Sequence, residues 1–123
     1  MNLTLGVDIG GSHISSALVS ADENIVIEES FCKKKIDAYA TAGLIIDQWI
    51  EALQTSLSKV AGYHLNGIGI AMPGPFDYRN GISLIEGVDK YQALYGVNVK
   101  QAIITQLHVQ NPSSCVIFSP NSF

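Results

Sequence analysis

Gly6-Val7-Asp8-Ile9-Gly10-Gly11-Ser12 is the stretch on which the fold turns. It closes a short apolar run that begins at Leu3 with an aspartate, paired glycines and a hydroxyl. That order predicts a strand over residues 3–8 running into a glycine turn. Beyond the turn, His13-Ile14-Ser15-Ser16-Ala17-Leu18-Val19 is rich in small and β-branched residues, which predicts a second strand over 13–20. Turn residues at 20–24 lead to Ile25-Val26-Ile27-Glu28-Glu29-Ser30-Phe31, expected to be a third strand antiparallel to the second. A hairpin with this tip suits phosphate. Glycines remove side chains, so backbone N–H groups can close around phosphate oxygens. The Ser12 hydroxyl can add a hydrogen bond, and Asp8 can face a Mg²⁺ through water, since that ion gives up its hydration shell reluctantly. No Gly-Lys-Ser/Thr follows, which excludes a P-loop. A strand follows the turn and Gly-x-Gly-x-x-Gly is missing, which excludes a dinucleotide fingerprint. The residues alone leave two readings, a phosphate cradle or a plain hairpin turn.

From Asp37 to Ala61 the period changes. Apolar residues fall at Ala42, Ile45, Ile46, Trp49, Ile50, Leu53, Leu57 and Val60, spacings of three and four that predict one long helix near 38–61. Asp37 is the expected N-cap and Gly62 the expected stop. Leu65 to Met72 reads as a buried strand, predicted near 67–72, and Pro73-Gly74-Pro75 takes the backbone out of the sheet in a fixed direction. A weak strand is expected at 82–84. Asn98 caps a second helix with Val99, Ala102, Ile103 and Leu107 inward, Asn111-Pro112-Ser113-Ser114 breaks it, and Cys115-Val116-Ile117-Phe118 is a last strand. The predicted order is βββαβ, then a short strand, a helix and a strand. That is an α/β fold in one domain over 1–123.

Composition limits the function classes. Apolar residues make up 47% and charged ones 15% of 123, enough for a core and too few charges for disorder. The net charge is −4 and the pI about 5.1, so no general attraction for nucleic acid is expected. No apolar run suits a bilayer, and Met1-Asn2-Leu3-Thr4-Leu5 lacks the basic start of a signal peptide, so a cytoplasmic protein is expected. Lys33-Lys34-Lys35 reads as a solvated strand end. Cys32 and Cys115 are expected to be reduced, at least partly buried thiols. His13, His64 and His108 show no ligand spacing.

Three segments together resemble a known family. Residues 6–12 look like the first phosphate motif of the actin–hexokinase–Hsp70 superfamily, and closely like that of the ROK family of sugar kinases and sugar-responsive repressors. Gly67-Ile68-Gly69-Ile70-Ala71-Met72-Pro73-Gly74-Pro75-Phe76-Asp77, with Gly81-Ile82, resembles the family's strand and sugar-side loop. Ala93-Leu94-Tyr95-Gly96-Val97-Asn98-Val99 is similar to the segment leading into its next helix. The resemblance implies an RNase-H-like (actin-like ATPase) lobe with a mixed sheet, and ATP, Mg²⁺ and a hexose in a cleft between two lobes. Under it Asp8, Gly10, Gly11 and Ser12 match the phosphate and Mg²⁺ motif. Gly74 and Pro75 match the loop beside the sugar, and Glu86-Gly87 falls near another sugar-facing segment. His13 departs from the family's common lysine.

The resemblance also implies gaps. Where the family runs from a strand into Glu-Asn-Asp-Ala, whose aspartate is the catalytic base, this chain reads Ser119-Pro120-Asn121-Ser122-Phe123. Asn121 stands in the aspartate's place, and an amide cannot take a proton from a sugar hydroxyl. The chain is therefore expected to be an N-terminal lobe whose C-terminal partner lobe is absent, inactive alone, with an apolar face that a homodimer would cover. Two other readings stand beside the kinase lobe. One is a sugar-sensing regulator or non-catalytic sugar-binding module, although the five residues before Gly6 leave no room for a helix-turn-helix. The other is a structural RNase-H-like fragment without ligand.

Overall fold

The computed structural model describes residues 1–86, 90–107 and 116–120. Its strands are β1 (Asn2–Ile9), β2 (His13–Ser20), β3 (Ile25–Val26), β4 (Cys32–Lys35), β5 (His64–Met72), β6 (Phe76–Asp77), β7 (Ile82–Ser83) and β8 (Val116–Pro120). Its helices are α1 (Ala42–Ser58) and α2 (Val99–Leu107). The main sheet has the order β3-β2-β1-β5-β8, with β4 also on β2. β1 and β2 pair antiparallel, while β1, β5 and β8 run parallel. A strand directly after the glycine turn and a mixed sheet agree with the sequence reading. The short pair β6–β7 stands apart from the main sheet.

The expected third strand is corrected. Residues 25–31 do not form one strand: β3 stops at Val26, a 3₁₀ turn covers Glu28–Ser30, and pairing resumes with β4. Ser30 explains the break. Its hydroxyl accepts from Leu18 N–H at 2.7 Å and donates to the Ile27 carbonyl at 2.6 Å, standing where a strand's backbone would have bonded. The lysine run is β4 itself, with Lys33, Lys34 and Lys35 beside Ser15, Ile14 and His13.

Strand alternation divides the sheet into two faces. Leu3, Leu5, Val7 and Ile9 of β1, with Ile14 and Leu18 of β2, point to the helices and are buried. There they meet Ile45, Trp49, Ile50 and Leu53 of α1, each such burial contributing roughly 1.5–3 kcal/mol. The buried hydroxyls of Ser16 and Ser56 bond at 2.6 Å and tie β2 to α1. The opposite face carries Thr4, Gly6, Asp8, Ser15, Ala17, Gly69 and Ala71, none of them buried. Cys32 is a buried free thiol; Cys115 and the break at 111–114 lie outside the described residues.

The helix boundaries shift. α1 begins at Ala42, not at 38, with Thr41 as N-cap. Asp37 does not cap it; its carboxylate accepts from Tyr39 N–H at 3.0 Å in a local turn. Gln48 reaches back to both the N–H and the carbonyl of Asp37, which folds residues 37–41 over the helix start. The helix ends at Ser58, before Gly62 with its positive φ of 75°. Asn98 does cap α2, accepting from Gln101 N–H at 2.9 Å. Among the described residues no helix is long and apolar enough to cross a membrane.

Ser30→Ala is expected to lose about 1–3 kcal/mol, because it strands the buried Leu18 N–H. Ser58→Ala, at an exposed hydroxyl, should cost far less. Urea unfolding of both variants checks this, and equal midpoints would contradict the role given to Ser30.

Candidate functional site

Because β1, β5 and β8 are parallel, their carboxyl ends lie at one end of the sheet. Asp8 pairs with Ala71 and Ala71 with Ser119, so these three form a row across adjacent strands. Strand spacing puts Asp8 and Ser119 roughly 10 Å apart at the backbone. Asp8 is exposed and sits opposite Ser15 of β2. Gly10, Gly11 and Ser12 follow directly from β1, and Pro73-Gly74-Pro75 directly from β5. Ligands of open α/β sheets collect in this place, outside the carboxyl ends of the strands.

The hairpin tip is held unusually. Gly10 N–H donates to His13 O at 2.8 Å, but among the described residues no bond from His13 N–H to Gly10 O accompanies it. The Gly10 carbonyl instead accepts from the Tyr91 hydroxyl at 2.5 Å. Ser12 is tied by its carbonyl to Ile36 N–H at 2.8 Å, and its exposed hydroxyl lies 2.9 Å from His13 Nδ1. The hairpin stands between two hollows. One, of about 570 Å³, is lined by Gly11, Ser12, Lys35, Asp37, Gln48 and Lys90. The other, of about 240 Å³ on the open face, is lined by Gly6, Asp8, Ser15, Ala17 and Phe31. The charged residues lining the first are two lysines and an aspartate, and the one lining the second is an aspartate.

The residues expected to face a sugar converge in part. Gly74 and Pro75 are exposed, and their peptide bond is cis. Pro75 O accepts from Leu84 N–H at 3.1 Å, which brings the exposed Glu86 within two residues of that junction. At Gly74 a Cβ would lie 3.1 Å from the Tyr78 hydroxyl, which itself donates to Met72 O at 2.9 Å. Beyond the loop, Asp77 accepts from both the backbone and the amide of Asn80, and the Asn80 amide is the main cause holding its carboxyl below the usual range. Gly81 closes this hairpin at φ 75° against α2, where a Cβ would meet Lys100 Cβ at 2.2 Å. Gly87 and Asn121, singled out from sequence, lie outside the described residues, as does His108.

Sequence reasoning missed Tyr91, Lys35 and Lys90 as neighbours of the hairpin. The Tyr91 contact joins residues 81 positions apart, and no local pattern signals it. Lys35 carried a signal in the lysine run, but only the pairing of β4 with His13 shows which lysine reaches the tip.

No family model matches the chain, and no curated protein matches it. Solved structures do. A ROK family glucokinase from Streptomyces griseus, in complex with glucose and AMPPNP, superposes with a TM-score of 0.71 at 22% identity, over 96% of this chain and 33% of that one. A ROK hexokinase from Thermus thermophilus gives 0.65 at 17%, over 96% and 35%. A ROK family transcriptional regulator, a homolog of the E. coli MLC protein, gives 0.67 at 16%, over 97% and 28%. The chain has the fold of the ROK family and spans about a third of the length of these proteins.

Gly81→Ala combines a disfavoured φ with a backbone-level clash and is expected to destabilise by about 2 kcal/mol or more. Thermal unfolding followed by circular dichroism checks it. A melting temperature unchanged from wild type would mean that the β6–β7 turn does not rest on α2 as described.

Proposed function

We propose that this chain forms the N-terminal lobe of a ROK-type sugar kinase, which transfers the γ-phosphoryl group of ATP to a hexose or N-acetylhexosamine. The observation that carries the reading is the shared position of the glycine hairpin and the Pro73-Gly74-Pro75 loop, on neighbouring parallel strands at the carboxyl end of the sheet. In this reading Gly11 and Ser12 hold phosphate oxygens through backbone N–H groups and the Ser12 hydroxyl, Gly10, whose own N–H bonds to His13 O, lets the backbone turn beside the phosphate, and Gly74, Pro75, Glu86 and Gly87 face the sugar. Such residues contribute positioning and electrostatics, which is most of what phosphoryl transfer asks of a protein. Asp8 fits Mg²⁺, being an exposed hard oxygen donor with room for intervening water. The ion, when bound, would neutralise charge on the phosphates. Asn121 is not assigned as a base. The buried free thiol of Cys32 accords with a reducing compartment such as the cytoplasm.

Calorimetry with Mg·ATP tests this. In the protein completed with its second lobe, wild type should bind, and Asp8→Asn should bind roughly three- to thirtyfold more weakly at nearly unchanged melting temperature. Equal affinities would remove Asp8 from the site. The runner-up, a sugar-sensing regulator, is supported by the comparable fit of a regulator structure; hexose binding without any Mg·ATP binding would select it.

A homodimer belongs to the same proposal. Phe31 and Ile117, at 51% and 65% exposure, leave apolar surface uncovered. Sedimentation should show self-association that grows with concentration, and a monomer throughout would overturn it.

A further inference from the structure

Tyr91 is the outlier among residues near the hairpin. It has φ 62° and ψ 13°, the left-handed region that a bulky side chain rarely adopts. Three contacts hold it there. Its N–H donates to Ala38 O at 2.8 Å, its ring packs on Trp49 with centroids 5.6 Å apart, and its hydroxyl donates to Gly10 O at 2.5 Å. Strain of this kind persists where the surroundings over-determine it, and it clusters at functional sites. The residue is 1% exposed, and burial pushes its phenol up to about 12. A group with a raised pKa keeps its proton below that value, so Tyr91 is a hydrogen-bond donor throughout the physiological range.

The consequence lies in one peptide plane. The Gly10 carbonyl and the Gly11 N–H belong to the same planar trans peptide and point in opposite directions. Between two glycines that plane has little steric resistance to flipping. The turn's own bond, which would fix it, is missing, and the phenol supplies the donor in its place. With the carbonyl drawn inward to a buried hydroxyl, the Gly11 N–H is turned away from the core. Among the described residues it has no hydrogen-bond partner.

We propose that Tyr91 is a positioning residue that locks the Gly10–Gly11 peptide so that Gly11 N–H is presented to a phosphate oxygen. This rests on the phosphate reading of the hairpin. It adds that the donor geometry is set from the segment following Glu86, through a contact the glycine motif does not contain.

The test, in the same two-lobed protein, compares wild type with Tyr91→Phe, which keeps the ring on Trp49 and removes only the hydroxyl. Two readouts are needed. Amide exchange at Gly10, whose N–H bonds to His13 O, should accelerate in the variant, while Leu5 and Ile68 stay unchanged. Mg·ATP affinity by calorimetry should fall roughly two- to tenfold, the range of one neutral hydrogen bond, and the Gly11 amide shift on adding Mg·ATP should shrink. Faster exchange together with weaker binding supports the proposal. Equal exchange, or equal affinity, overturns the role of Tyr91 and leaves the phosphate reading standing. If the wild-type two-lobed protein does not bind Mg·ATP, the phosphate reading falls and the proposal with it. Faster exchange at Gly10 would then mark Tyr91 as a strut of the fold only.

Discussion

The parallel pairing of β1 with β5 is the constraint from which the rest follows. Antiparallel neighbours can be joined by a tight turn, but parallel neighbours need a crossover that returns the chain to the starting end. Here α1 supplies it, running from the carboxyl end of the sheet back to the start of β5. α2 lies in the corresponding connection between β5 and β8 and packs on α1. Two consequences come together. The crossovers bury one face of the sheet, and the loops leaving β1 and β5 are brought to one end, so the glycine hairpin and the Pro73-Gly74-Pro75 loop become neighbours although more than sixty residues separate them.

The two faces are built on different terms. On the helix side, β1 and β2 contribute Leu3, Leu5, Ile14 and Leu18, all fully buried, and the hydroxyls placed there, Ser16, Ser30 and Ser56, are each bonded. That is what burial demands, since an unmade hydrogen bond in the core costs more than a made one returns. The buried indole N–H of Trp49, without a partner among the described residues, departs from this rule, and it lies against Tyr91. The open face carries glycine, alanine, serine and the exposed Asp8. Among the described residues no crowding requires Gly6 and Gly69, because a Cβ at Gly6 would meet nothing closer than 3.8 Å and one at Gly69 nothing within 4 Å.

What could be read in advance followed from local rules. The stripe from Ile45 to Leu53, the Asn98 cap and the strand after Gly11 depend on residues within a turn or two of one another, and they stand as expected. The failures were competitions that local rules do not settle. Asp37 has the chemistry of an N-cap, yet it spends its carboxylate on Tyr39 while Gln48 takes its backbone, so the helix starts later. Ile25 to Phe31 has strand-forming residues, but the Ser30 hydroxyl offers Leu18 N–H a better partner than a continued ladder. Of the candidate site, Asp8 and the hairpin glycines could be singled out because a ligand loop would need those residue types in that order. The hold on the hairpin could not, since a tyrosine far along the chain looks like any buried aromatic until the fold brings it to Gly10.

A loop that is to bind phosphate faces a contradiction. Its N–H groups must stay unpaired to receive the ligand, yet unpaired backbone is what lets a loop wander, and two glycines increase that freedom. Anchoring by the loop's own N–H groups would use up the donors. The peptide group resolves this because its two polar ends point opposite ways. Carbonyls can be tied inward while the N–H groups of the same planes stay outward. In this chain the Gly10 carbonyl is held by Tyr91 and the Ser12 carbonyl by Ile36 N–H, both from segments packed on the helix side. Apart from the Gly10 N–H, which bonds to His13 O, the order of the hairpin is thus supplied by its acceptors, which leaves the Gly11 donor for whatever arrives from solvent.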